Sequence, residues 1–353
     1  MSLNVGVCSR AIERWFAETG RDLPWRADRT PWRSLVSEFM LQQTQVARVL
    51  ERFEPFMNRF PQPVALADAS EQDVLKMWQG LGYYRRARSL HLAAQVIVSD
   101  FDGVVPLDVK SLLTLPGVGR FTAGSMSSIV GGHRAAIVDG NVTRVLARLY
   151  CDDGLQDDRD FIKRTWSRAE AFVAAAESPA LLNEGLMELG ARVCTPAAAS
   201  CKLCPASAHC AARSRGRVGE IPPAKRRSPR TVVHHHSVVI RRSGRLLLEQ
   251  RPDRGLWAGL WQAPALETSV ELTPEQVADR LSYPVEGLRR LKTITRQLTH
   301  RTVVVHVHAA TLRRAARVPA KDGLRWVGMR ELSEVPLSNA AREVLKISGA
   351  SLA

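Results

Sequence analysis

The sequence predicts two folded parts of different class: an all-α region over roughly the first 214 residues, then a small α+β region. Three observations carry this. Apolar residues recur at helical spacing as far as about Arg213. A break rich in proline and arginine follows at 215–230. Beyond it the apolar period shortens to that of strands. A chain of 353 residues can hold two or three domains, each with its own core.

Helical spacing is clear in Ala11, Ile12, Trp15 and Phe16, and again in Leu35, Phe39, Val46, Val49, Leu50 and Phe53. Ser70-Glu71-Gln72-Asp73 resembles a capping box opening a helix that ends near Gly80. Further helices fit 84–100, 108–114, 120–131, 141–150, 158–177 and 180–192. The first domain is therefore read as 1–214. Residues 215–230 hold three prolines and six Arg or Lys, which no regular element accommodates throughout, so they read as a basic linker. In the second domain, 231–353, strands fit 231–242, 245–250, 290–296 and 302–308, with Ser243-Gly244 as a hairpin turn. Helices fit 274–281 and 338–347.

The net charge of +15 is unevenly spread. Residues 1–214 carry 25 basic and 23 acidic side chains, whereas 215–353 carry 25 and 12. An excess of this kind suits a polyanionic partner. No apolar run is long enough to span a bilayer, and the N-terminus lacks a secretory pattern. The expectation is a cytoplasmic monomer without membrane contact, nucleoid-associated if the source is bacterial.

Four of the six cysteines cluster: Cys194, Cys201, Cys204 and Cys210, spaced C-x6-C-x2-C-x5-C. Four thiolates so close suggest a [4Fe–4S] cluster or tetrahedral zinc, and spacing alone hardly separates the two. A zinc ribbon usually has two C-x2-C knuckles, and here there is one.

The stretch Leu115–Arg144 carries a glycine hairpin, Leu115-Pro116-Gly117-Val118-Gly119, at the mouth of a helical run. Such a hairpin lets backbone N–H groups approach a phosphate, with a helix dipole behind them. A lone acid, Asp139, follows in Val138-Asp139-Gly140-Asn141-Val142, where it could reach the sugar of a nucleotide so held. In Trp32–Val46, Glu38 stands among Leu35, Val36, Phe39, Met40 and Leu41. Apolar surroundings raise a carboxyl pKa and suit a proton donor near neutral pH. The other reading, an acid on the solvent side of an amphipathic helix, stays open on these residues alone.

The hairpin and the lone acid resemble the helix-hairpin-helix of DNA glycosylases related to endonuclease III, and the cysteine quartet resembles their iron–sulfur loop. SEFMLQQTQV, from Ser37 to Val46, resembles the signature of the A/G-specific adenine DNA glycosylases of the MutY type. So do Arg21–Arg26, Gly80–Arg88, Asn183–Gly190 and Arg251–Trp261, so the resemblance spans nearly the whole chain. It implies a helix-hairpin-helix glycosylase domain with a [4Fe–4S] loop, followed by a Nudix-like domain. It implies duplex DNA with adenine opposite 8-oxoguanine or guanine as partner, and hydrolysis of the adenine N-glycosidic bond after base flipping.

By this resemblance Glu38 protonates adenine, Asp139 stabilises the sugar cation, and Asn141 orients water or Asp139. Trp25, Arg26, Leu41, Gln43 and Glu184 would line the adenine pocket, and Gln42 and Tyr83 would wedge into the vacated stack. Gly117, Val118 and Gly119 would meet the DNA backbone. Leu298-Thr299-His300 would match a Phe-Ser-His loop at the damaged base. After Pro264 the chain reads ALETSVELTPEQVADRL, which lacks the glutamate-rich helix of a working Nudix hydrolase, so no pyrophosphatase activity is expected. The run His234-His235-His236 reads as structural, since neighbours on a strand point to opposite faces.

Bifunctional relatives carry a lysine at the position of Phe121, where this family often has tyrosine or serine. A phenyl ring cannot form a Schiff base or bond to Asp139. The wild-type protein should therefore give no borohydride-trapped DNA complex and should leave strands that break only in hot alkali, whereas Phe121→Lys should gain trapping. Efficient trapping and strand cleavage by the wild type would overturn the hydrolytic reading.

Overall fold

The computed structural model describes residues 3–224, 229–298, 300–313 and 323–350. The chain divides into two compact units, 1–68 with 89–226, and 69–88 with 227–353.

The first unit is built of helices. The longer ones are Val5–Thr19, Pro31–Leu41, Val46–Arg59, Gly140–Tyr150, Arg159–Ala174 and Pro179–Arg192, and helix Arg85–Asp100 enters it from the second unit. Local chemistry sets their starts. Asn4, Thr30, Asp139, Asp158 and Ser178 each accept a backbone N–H from the turn they open, and Pro31 and Pro179 stand at first-turn positions where no N–H is needed. The apolar faces meet in a core that includes Ile12, Val142, Leu146, Phe172, Leu186 and Leu189. Leu35, Phe39, Phe53, Phe56 and Phe60 are also fully buried.

The helix expected over 120–131 is α only from Arg120 to Ser125 and continues as a π-helix, Met126–Val130. The wider turn closes with the Gly131 amide on the Met126 carbonyl at 3.1 Å.

The second unit carries the sheet. Its strands are β1 (Thr231–Arg242), β2 (Arg245–Gln250), β3 (Trp261–Gln262), β4 (Ala265–Thr268), β5 (Val285–Gln297), β6 (Arg301–Leu312) and β7 (Leu324–Gly328). The main path runs β3-β2-β1-β6-β5, with β4 on β1 and β7 on β2. Strand β1 lies parallel to β6 from Thr231↔Arg301 to Ile240↔Ala310, and β5 is antiparallel to β6. The β1–β2 turn has both Ser243 and Gly244 at positive φ (49° and 74°), as a right-twisted two-residue hairpin requires. Alternation along the strands sends Val238, Ile240 and Leu247 to a core with Val277 and Tyr283. It sends Val239, Leu246 and Leu248 to another with Val305, Val307, Val344 and Leu345. Helices Pro274–Arg280 and Asn339–Ile347 supply Val277 and Val344 to these two cores.

Two features of the strands depart from the sequence reading. Strands β3, β4 and β7 were not expected. Strand β5 begins at Val285 rather than near 290, because register shifts between Glu286 and Arg289 and between Arg290 and Lys292 break the two-residue period. By contact, residues 69–88 group with 227–353. The tie is polar. Tyr84 Oη and Gln79 Nε2 both donate to the Leu337 carbonyl, at 3.3 and 3.0 Å. Arg88 donates to the Ala258 carbonyl at 2.6 Å, Trp261 Nε1 donates to Gln72 at 3.1 Å, and Lys76 pairs with Glu334.

A chain ending at Arg213 loses all of these partners. Helix Glu71–Met77 should then exchange its amide hydrogens markedly faster than in the full-length protein, while helix Gly140–Tyr150 keeps its protection. Equal protection of 71–77 in the two chains would show that this segment does not depend on the C-terminal residues.

Candidate active site and cysteine centre

Glu38 lies in the last turn of helix Pro31–Leu41, between fully buried Phe39 and buried Ser37. The residue keeps some surface, but its carboxyl is enclosed. Ser125 Oγ donates to its Oε1 at 2.7 Å. Burial pushes the Glu38 pKa up to about 7 against the pull of the Ser125 hydrogen bond, and the carboxylates of Asp139 and Glu184 push the same way. The solvent-side alternative is thereby excluded.

Asp139 is the N-cap of helix Gly140–Tyr150. Its Oδ1 accepts the Val142 amide at 2.7 Å, and its Oδ2 accepts Asn141 Nδ2 at 3.1 Å. Burial raises its pKa, and those two donors oppose the shift. Asn141 is the second residue of the helix and holds the Asp139 carboxyl. Asn141 is fixed in turn: Arg144 donates to its Oδ1 at 2.8 Å, and also to the carbonyls of Gly190 and Cys194, both at 2.7 Å. A Cβ on Gly190 would stand 2.6 Å from Asn141 Cβ, so only glycine fits this crossing.

A buried ionic group borders the site. Glu184 accepts Arg26 Nε at 2.9 Å, and Arg29 contacts both its oxygens at 3.0 Å. Glu188 accepts Arg21 at 2.6 and 2.9 Å and Arg26 at 3.2 Å. Burial works against the Glu188 carboxylate, yet Arg21 and Arg26 hold it below its ordinary range.

The other expected pocket residues differ in setting. Trp25 is buried edge-on against Phe53, centroids 5.3 Å apart. Leu41 ends its helix half-buried, and half-buried Phe121 lies in the first turn of helix Arg120–Ser125. Gln42 caps the helix of Glu38 and reaches Thr122 Oγ1 at 3.5 Å, and exposed Gln43 has a left-handed φ of 57°. In the hairpin, Gly117 has φ 80°, and a Cβ there would stand 2.5 Å from Ser89 Cβ. The Val118 amide closes the turn on Leu115 at 3.1 Å, and a Cβ on Gly119 would meet open space.

Tyr83, in the second unit, is half exposed with φ 46°, a conformation that costs a non-glycine residue energy. Leu298 and His300 form the turn between β5 and β6, with the Leu298 amide on the Arg301 carbonyl at 2.9 Å. Leu298 packs partly against the sheet core and His300 is exposed, while Thr299 lies outside the described residues.

Cys194, Cys201, Cys204 and Cys210 line one recess with Arg148, Leu189 and Val193. Arg148 donates to Cys194 Sγ at 3.3 Å, and Cys210 Sγ to the Arg148 carbonyl at 3.4 Å. Burial pushes the Cys204 thiol up to about 12, and the three neighbouring thiols add to the shift. Four converging soft donors that discourage one another's ionisation fit a centre whose positive charge would hold them as thiolates.

Sequence reasoning missed Arg29, Ser125, Arg144 and Arg148. Arg144 and Arg148 carried a signal: they stand three and seven residues after Asn141 and so share its helix face. Ser125 and Arg29 reach their partners only through the fold.

A family profile described as the HhH-GPD superfamily base excision DNA repair protein matches residues 36–171, and one for the NUDIX domain matches 236–346. The first unit thus has the base-excision glycosylase fold. A thermostable thymine-DNA glycosylase of known structure aligns with 60% of this chain and 97% of its own, with TM-score 0.55 and 28% identity. The adenine DNA glycosylase of Mus musculus is 32% identical over 393 residues, spanning 94% of this chain and 76% of that protein. That of Buchnera aphidicola (strain Sg) is 26% identical over 98% of this chain and 99% of its own. The chain belongs to the adenine DNA glycosylase family.

Arg144→Ala should remove the contacts to Cys194, Gly190 and Asn141 together and lower stability by roughly 1–3 kcal/mol in denaturant unfolding, since it strands part-buried acceptors. Arg144→Lys should recover less than half, because one ammonium cannot serve three directions. A loss below about 0.5 kcal/mol in Arg144→Ala would show that the bridge is not formed in solution.

Proposed function

We propose that the protein hydrolyses the N-glycosidic bond of adenine opposite 8-oxoguanine or guanine in duplex DNA and leaves an abasic site. The single observation that carries this is the pairing of unlike acids. Enclosed Glu38 has a pKa near neutrality, and helix-capping Asp139 stands within its electrostatic reach.

Unprotonated adenine is a poor leaving group. Glu38, part-protonated at neutral pH, hands its proton to the flipped base, and Ser125 sets the carboxyl's direction. A positioned acid of this kind is typically worth about 10²–10⁴-fold. As the bond to the sugar breaks, positive charge grows on the sugar ring, and the Asp139 carboxylate stabilises it. Two donors fix that carboxylate in advance, so little reorganisation is needed. Phe121 offers no amine, so water completes the reaction. Trp25, Arg26, Leu41, Gln43 and Glu184 enclose the base, Gln42 and Tyr83 fill the gap it leaves, and the Gly117-Val118-Gly119 hairpin meets the backbone. The basic C-terminal unit reads the opposing base through Leu298, Thr299 and His300.

Cys194, Cys201, Cys204 and Cys210 would hold a [4Fe–4S] cluster. When bound, it supplies iron–thiolate bonds that fix their loop. That loop is where Arg144 finds the Cys194 carbonyl, so it braces Asn141 and through it Asp139.

Glu38→Gln should leave DNA affinity within a few-fold and slow adenine release by at least about a hundredfold. The acid form of Glu38 predominates below its raised pKa. The wild-type kcat/KM should therefore fall as pH rises through about 7, and Glu38→Gln should lose that limb. Single-turnover release by Glu38→Gln near the wild-type rate would remove Glu38 from the mechanism.

A further inference from the structure

The histidines of the sheet form a site that base excision does not use. His234 and His236 on β1 and His306 and His308 on parallel β6 meet across the pair. His234 Nδ1 lies 2.9 Å from His306 Nε2, and His236 Nδ1 lies 3.4 Å from His308 Nε2. His236 also stacks on His306, ring centroids 4.6 Å apart and planes 16° from parallel. His235 points to the opposite face, against Trp257 and Glu267, as strand alternation requires. The histidine run is therefore split between faces as expected. The alternation argument overlooked the neighbouring strand, which brings a second histidine to His234.

Glu271 completes the group from the loop ahead of helix Pro274–Arg280. The ligand atoms of His234, His306 and Glu271 all lie within 4.8 Å of one another.

We propose that His234, His306 and Glu271 bind one divalent transition ion of the zinc class, clipping β1, β6 and the loop before helix Pro274–Arg280 together. Two imidazole nitrogens and a carboxylate oxygen are a donor set zinc accepts, with a remaining position left for water. Thr293 Oγ1 lies 3.2 Å from His306 Nδ1, and this contact aims the other ring nitrogen at His234. Two nitrogens 2.9 Å apart share a single proton, and the ion takes that proton's place. Ligands of a tetrahedral zinc lie roughly 3.3 Å apart, so the rings need to open by only a few tenths of an ångström. Burial holds the pKa of His306 below its ordinary value, which keeps a lone pair available. One group competes: Arg290 is paired with Glu271 and also donates to the Leu272 carbonyl at 3.1 Å. It must release the carboxylate when the ion enters.

The site is independent of the glycosylase reading, and its test reads metal rather than base release. Full-length protein with its cysteine centre loaded is titrated with Zn²⁺ by calorimetry, and the bound zinc is characterised by X-ray absorption. Expected is one equivalent whose nearest shell is nitrogen and oxygen at about 2.0–2.2 Å, with no sulfur at about 2.3 Å. Glu271→Gln, at an exposed position, and His234→Asn should each weaken binding at least about tenfold. Arg290→Gln removes the competitor and should bind more tightly than wild type, an outcome that misfolding cannot imitate. Absence of zinc binding, a sulfur shell, or wild-type affinity in both Glu271→Gln and His234→Asn would overturn the assignment. So would loss of affinity in Arg290→Gln.

Discussion

The capped start of helix Gly140–Tyr150 is the constraint on which the first unit depends. One carboxylate, Asp139, closes the helix by accepting the Val142 amide and is the charge assigned to the sugar. Burial works against that charge, and the backbone dipoles at a helix N-terminus favour it. The same helix then carries the consequences outward. Asn141 holds the carboxyl, and Arg144 holds Asn141 while reaching the Cys194 carbonyl. One turn later Arg148 touches Cys194 Sγ and the Ile221 carbonyl. Eleven residues thus join Asp139 to the cysteine loop.

The buried charges have a related purpose. Arg21, Arg26 and Arg29 all point to Glu184 and Glu188 on helix Pro179–Arg192. Buried ion pairs stabilise little relative to apolar packing, because desolvation offsets their attraction, but they are directional. Here they hold the short segment around Trp25 at one orientation against a helix that is itself packed on Asn141 through Gly190. The site is therefore positioned from two sides, by a helix N-terminus and by an arginine fork.

Much of this was legible in the chain because chemistry and local structure coincide there. The cap at Ser70, the hairpin at Ser243-Gly244 and the helical and strand periods are all short-range signals, and the two fold classes they predicted are the ones found. Glu38 and Asp139 were legible as types, but their surroundings were not. Ser125 lies 87 residues from Glu38, and Arg29 lies 155 residues from Glu184. Strand β5 hid its beginning behind register shifts, and β3 is only two residues long, too short for any period. Residues 69–88 have a sound helical pattern, and nothing in that pattern says which unit supplies their partners.

That last segment bears on how the molecule is made. The second unit is assembled from two pieces of chain with the bulk of the first unit between them. During synthesis, residues 69–88 leave the ribosome long before Leu337, Ala258 and Trp261, the groups they bond to. Contacts so distant in sequence form slowly, since a long loop must close before they repay its entropy. The nascent helical unit can therefore gather its core around Phe172 and Leu186 while Gln72 and Gln79 still wait for the groups they bond to. A chain ending before β7 would hold both Glu38 and Asp139 yet lack Leu337, one of the groups that residues 69–88 bond to, a species inclined to be held by chaperones.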